Sequence, residues 1–180
     1  MTLEPTVFIV DDDREVREAI ELLMDSIGLA ATSFDSAQEY LDQFDPNRPG
    51  CLVLDVRMTG MSGLDLQQRL TQEPVHPPVI MITGHGDVPM AVRAVKAGAV
   101  DFIEKPFNEQ ALLDAVHRAL EQDSEKRGAA SRLATIQERL IRLTPREREI
   151  LEQVAAGKRN KVIPLTSTSA NPRWRPIEPR

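Results

Sequence analysis

Residues 50–63 read G-C-L-V-L-D-V-R-M-T-G-M-S-G. Cys51–Leu54 is an unbroken apolar run, short enough for a strand buried on both faces. It stops at Asp55, and Gly60 and Gly63 mark a loop beyond it. In an open parallel sheet, ligands gather outside the carboxyl ends of the strands, and Asp55 is expected at that edge. A surface-loop aspartate explains the same residue taken alone, so the remaining segments decide.

Those segments repeat the pattern. Upstream, Thr6–Val10 is apolar and β-rich and runs directly into Asp11, Asp12 and Asp13. A helix follows with Val16, Ile20, Leu23 and Ile27 on one stripe, and Gly28 stops it. Ala30–Phe34 predicts a second strand, and Ser36 with Glu39 forms a capping box for a helix to about Phe44. After Gly63, Leu64, Leu66 and Leu70 mark a third helix, closed by Pro74, Pro77 and Pro78. Val79–Ile82 predicts a strand ending in Thr83, then a helix over Val88–Ala97 and a strand over Val100–Ile103 that leads to Glu104, Lys105 and Pro106. Leu112, Val116 and Leu120 mark the fifth helix. Strand and helix alternate five times, which predicts an α/β fold with a five-stranded, doubly wound parallel sheet.

The next part differs in kind. Gly128–Ala130 breaks the helical pattern, and Leu133, Ile136, Leu140 and Leu143 then follow at three-four-three spacing. Such a stripe pairs two helices or packs one helix on its own domain, and both readings stay open. Thr144, Pro145 and Glu147 start another helix, with Ile150, Leu151 and Val154 as its buried face and Gly157 at its end. Pro164 to Arg180 shows no periodicity and is expected to be disordered.

Charge separates the same two parts. Residues 1–125 carry 9 basic and 23 acidic side chains, and residues 126–180 carry 13 and 5, so a net charge of −6 conceals an acidic part joined to a basic one. A basic second part suits nucleic acid. With 180 residues the chain has room for one ordinary core and a small second module. Its one cysteine, Cys51, allows no intramolecular disulfide. No apolar run is long enough to span a bilayer, and the amino terminus lacks a signal-like basic and apolar stretch, so a cytoplasmic protein with no membrane partner is expected.

The strand ends carry the chemistry: Asp11 and Asp12 after the first, Asp55 after the third, Thr83 after the fourth and Lys105 after the fifth. All fall on one edge of a parallel sheet. A carboxylate favours a helix N-terminus, which explains Asp13 but not three aspartates in a row. Carboxylates crowded at one edge repel unless a cation lies among them, and a hard divalent ion, Mg²⁺ most naturally, takes oxygen ligands. A lysine and a hydroxyl beside them suit an anion. Together these are the parts of phosphoryl transfer to a carboxylate.

The blocks V-D-D, L-D-V-R-M-T-G-M-S-G, I-T-G-H-G-D and D-F-I-E-K-P-F resemble the receiver domain of two-component response regulators, the later blocks its FixJ-type subfamily. The resemblance covers residues 6–122, within a receiver domain taken as 1–122, and implies a flavodoxin-like fold. It implies that Asp55 accepts a phosphoryl group from a sensor histidine kinase and that the chain is a signalling protein rather than an enzyme. Asp12, Asp11, a carboxylate oxygen of Asp55 and the main-chain carbonyl of Arg57 are the implied Mg²⁺ ligands. Thr83 and Lys105 are the implied phosphate contacts, and Phe102 the aromatic that turns inward with Thr83 on activation. The fourth helix and fifth strand, with Met90, Val92 and Val95, are the implied homodimer face. Lys105–Pro106 matches a cis peptide, a bond readily reached only before proline. Thr59 departs from the family, which usually has proline there; a looser loop with its ligands intact is expected. His85, in a glycine loop, reads as a polar surface residue close to the phosphate's path to solvent.

Beyond a helical linker at 123–142, residues 143–163 resemble the start of a LuxR-type helix-turn-helix domain. Its recognition helix, which enters the major groove, has no counterpart in the proline-interrupted residues 164–180. Shifting the reading frame lets R-W-R-P-I-E-P-R encode T-V-E-T-H-R-A-K, typical of the missing segment, so a frameshifted tail and a truncated, incomplete DNA-binding half are expected. The leading expectation is a phosphorylation-controlled transcription regulator. A stand-alone receiver acting by protein contact or as a phosphate sink is the alternative, and a D-x-D phosphohydrolase with Asp11 as nucleophile and Asp13 as acid the remote one.

Overall fold

The computed structural model of the chain describes residues 4–84 and 88–155. The readings made for His85 and for residues 156–180 lie outside them. The chain divides into two compact units, residues 1–130 and 131–180.

The first unit is built on five parallel strands: β1 (Thr6–Val10), β2 (Ala30–Phe34), β3 (Gly50–Asp55), β4 (Val79–Thr83) and β5 (Asp101–Glu104). Their order in the sheet is β2-β1-β3-β4-β5. This is the doubly wound, flavodoxin-like order, whose switch point lies between β1 and β3. β1 and β3 run in register, Val10 beside Leu54, so Asp11 and Asp55 leave the sheet at adjacent corners of that switch point.

Alternation along the central strands explains both layers. Val7, Ile9, Cys51, Val53, Ile80 and Ile82 face Ile20 and Met24 of α1 (Arg14–Ser26) and Leu112, Ala115, Val116 and Ala119 of α5 (Glu109–Ile141). The intervening Phe8, Val10, Leu52, Leu54 and Met81 face α2 (Ala37–Gln43), α3 (Gly63–Leu70) and α4 (Val88–Lys96). Strands covered on both faces have no polar side to show, which is why they read as continuous apolar runs.

Local signals behave as expected at most helix starts. Asp13 caps α1 by accepting from the Glu15 N–H at 2.9 Å. Ser36 Oγ accepts from the Glu39 N–H at 3.3 Å, and the Glu39 carboxylate reaches back to the Asp35 N–H at 2.9 Å. At the other end of α1, the stripe is one residue too long. The helix stops at Ser26, Ile27 is the exposed C-cap, and Met24 fills the inner position instead.

A second correction concerns Gly128–Ala130. No break occurs there: α5 continues as one helix of 33 residues. A tertiary clamp supports it through residue 127. Buried Asp123 accepts from the Gly50 N–H at 3.0 Å and from Arg127 Nε at 2.8 Å. Arg127 also donates to the carbonyls of Pro46 and Arg48, tying the helix to the loop before β3. Asp123→Ala would leave the Gly50 N–H and the Arg127 Nε–H without their acceptor, so a loss of about 2 kcal/mol in urea unfolding is expected.

In the second unit, α6 spans Pro145–Ala155, and Thr144 and Glu147 form the expected capping box. Its apolar stripe is not buried, however: Ile150, Leu151 and Val154 are exposed, and so are Leu133, Ile136 and Leu140.

Candidate functional site

Three loops converge at the carboxyl edge of the sheet. The stretch after β1 separates its three aspartates. Asp11 is fully buried, Asp12 is exposed, and Asp13 is spent on the α1 cap. Asp11 is held on both sides: its Oδ1 accepts from the Asp13 N–H at 2.9 Å, and its carbonyl accepts from Arg17 Nη1 at 2.7 Å. Arg17 escaped the sequence reading, because a basic residue in the second turn of an amphipathic helix carries no signal of this contact.

Asp55 ends β3 at 3% exposure. Lys105, which follows β5, places Nζ 2.8 Å from Asp55 Oδ1 and 2.6 Å from Asp11 Oδ2. The Arg57 N–H donates to Asp55 Oδ2 at 2.8 Å. Thr83 is wholly buried, and its carbonyl accepts from the Lys105 N–H at 2.7 Å, which fastens the lysine's backbone to the end of β4. Lys105–Pro106 is a cis peptide bond, as the resemblance implies. Phe102 is half-buried beside the α4 face of the core, next to Met81 across the strands.

Gly63 sets the height of the loop above Asp55. Its N–H donates to the Val56 carbonyl at 3.0 Å, and a Cβ added there would meet the Asp55 carbonyl oxygen at 2.1 Å. Only glycine permits that approach.

Burial pushes the Asp55 carboxyl above its ordinary range, and the Asp11 charge adds to this; hydrogen bonding and charge from Lys105 and the Arg57 N–H pull the other way without prevailing. Burial by itself would lower Lys105, but its contacts with Asp11 and Asp55 outweigh that and raise it. Lys105 is therefore a fixed cation, not a base.

Carboxylate oxygens of Asp11, Asp12 and Asp55 lie within 4.8 Å of one another. Three carboxylates against one ammonium leave two negative charges uncompensated, the charge that a divalent cation brings. The donor set, oxygen only, suits a hard divalent cation and not a soft metal.

Thr59 corrects an expectation. It does not free the loop after β3: its N–H and Oγ1 both donate to Asp12 Oδ2, at 2.9 and 3.1 Å. Proline could make neither bond. The sequence marked the position as unusual, but the partner lies 47 residues away and only the fold reveals it.

Comparison with known proteins agrees with this geometry. The family described as the response regulator receiver domain matches residues 7–117. The chain is 47% identical over 157 residues to nodulation protein W of Bradyrhizobium diazoefficiens, covering 87% of this chain and 69% of that protein. It is 46% identical to response regulator protein TodT of Pseudomonas putida, covering 88% and 70%. It is 40% identical to transcriptional regulatory protein FixJ of Bradyrhizobium diazoefficiens, covering 91% and 80%. Among solved structures, that of response regulator StyR superposes with a TM-score of 0.80 at 46% identity, over 88% of this chain and 80% of that one.

Proposed function

The chain belongs to the response regulators, and from that premise we propose that Asp55 accepts a phosphoryl group from a sensor histidine kinase, with Mg²⁺, to control transcription. The observation that carries this reading is the state of Asp55: nearly buried at the switch point, with one oxygen on Lys105 and the other on the Arg57 N–H. Both donors recorded on it among the described residues, Lys105 Nζ and the Arg57 N–H, hold the carboxylate in place.

In the proposed transfer, a carboxylate oxygen of Asp55 attacks phosphorus while the P–N bond to the kinase histidine breaks, and the histidine nitrogen leaves with the electron pair. Lys105 and Thr83 hold oxygens of the arriving group. Asp11, Asp12, Asp55 and the Arg57 carbonyl would hold Mg²⁺, which when bound would supply positive charge against the phosphoryl oxygens. Phosphate at Asp55 then recruits Lys105 away from its present contacts, and Thr83 and Phe102 carry the change to α4 and β5. Val92 and Val95 are exposed on α4, and this face is the proposed homodimer surface.

Lys105→Arg separates chemistry from output. A guanidinium keeps the charge but not the geometry that spans Asp11 and Asp55. The variant is expected to take up phosphate from acetyl phosphate, yet to show less than about a tenth of the wild-type shift toward dimer in sedimentation. A wild-type dimer shift in that variant contradicts the coupling role. Phosphate uptake by the wild type that is indifferent to removal of Mg²⁺ with a chelator contradicts the metal site.

Nothing in the geometry favours the phosphohydrolase reading, in which Asp13 would be the acid; its Oδ1 is engaged in capping α1.

A further inference from the structure

Asp12 is the weak member of the acidic cluster. Asp11 and Asp55 are buried and gripped by Lys105, whereas Asp12 is exposed and receives nothing from that cation. It also faces both of them at close range. Like-charge repulsion and side-chain freedom both favour swinging such a carboxylate outward into water. What opposes this is Thr59.

The two Thr59 donors are set in a firm base. Val56 and Met58 on its amino side are buried, and the Val56 N–H is bonded to the Ile82 carbonyl at 2.9 Å. A backbone N–H and a hydroxyl from one residue converge on a single oxygen, Oδ2, and among the described residues no donor is recorded on Oδ1. The carboxylate is thus fixed in direction while keeping one oxygen for a cation.

We propose that Thr59 is a positioning residue for divalent-cation binding: by holding Asp12 Oδ2 it keeps the third carboxylate turned toward Asp11 and Asp55 before the ion arrives. A proline at this position would offer neither donor. This inference rests on the Mg²⁺ reading above.

The test is calorimetric titration of the full chain with Mg²⁺ alone, without phosphodonor, for the wild type and Thr59→Ser, Thr59→Val and Thr59→Pro, with Asp12→Ala as reference. Thr59→Pro loses both bonds and is expected to bind about tenfold more weakly, ~1.4 kcal/mol. Thr59→Val keeps the N–H and loses the hydroxyl, so roughly a threefold loss is expected. Thr59→Ser keeps both donors and should match the wild type, a rescue that a merely structural role does not predict. Equal affinities across the series, or tighter binding by Thr59→Pro, overturn the proposal while leaving the metal site standing. Failure of the wild type itself to bind Mg²⁺ overturns both together. Thermal unfolding without Mg²⁺ controls for the fold: these exposed bonds contribute little to it, and its midpoint should be the same in all four Thr59 chains.

Discussion

Asp55→Asn is expected to lose phosphorylation by acetyl phosphate or a phosphohistidine donor by at least roughly a thousandfold, as removal of a nucleophile does in other covalent mechanisms. The amide copies the carboxylate's shape, so the contact with the Arg57 N–H can persist, but it brings no charge and no competent nucleophile. Asp11 remains bound to Lys105 and, wholly buried, is not expected to substitute. The loss should not come from unfolding. Burial raises the folded-state pKa of Asp55, so its ionised form, present once pH exceeds that value, opposes folding at neutral pH. Asn removes that charge, and the melting temperature is expected to stay level or rise. A sharply lower melting temperature would assign Asp55 a structural role instead.

Gly63→Ala is the second large effect, and it reaches the same site through the backbone. The new Cβ would sit 2.1 Å from the Asp55 carbonyl oxygen, 3.0 Å from its carbon and 3.1 Å from Leu54 Cγ. None of these is the far end of a flexible side chain, so either β3 or the first turn of α3 has to move. A destabilisation of about 3 kcal/mol in denaturant unfolding is expected, at the upper end of overpacking costs. Loss of most phosphorylation is expected with it, since the displaced carbonyl belongs to the acceptor residue. Gly60→Ala is the control. Gly60 has a positive φ of 84° but nothing within reach of a Cβ, so about 1 kcal/mol is expected there.

Much of this fold was legible because its strands are buried on both faces. Thr6–Val10 and Val79–Thr83 read as apolar runs ended by polar residues, and parallel pairing then brings Asp11, Asp55, Thr83 and Lys105 to one edge without any long-range information. The capping boxes at Ser36 and Thr144 are equally local. What the sequence hid depends on partners far along the chain. Gly128 looked like a helix breaker, yet α5 runs through it, and five residues earlier Asp123 is anchored to Gly50 across 73 residues. Thr59 looked like a loosened loop because its departure from the usual proline was visible and Asp12, the acceptor of both its hydrogen bonds, was not. The stripe of Ile150, Leu151 and Val154 shows the limit of periodicity, which reports that a helix has an apolar side but not that anything covers it.

Phosphoryl acceptance is assigned to one carboxylate, and peptide mapping by mass spectrometry identifies it. The full chain, treated with acetyl phosphate and Mg²⁺ and then reduced with borohydride, converts an aspartyl phosphate to homoserine at the modified position. A single homoserine at residue 55 is expected, absent when Mg²⁺ is withheld. Modification at Asp11 or Asp12 with residue 55 unchanged would contradict it.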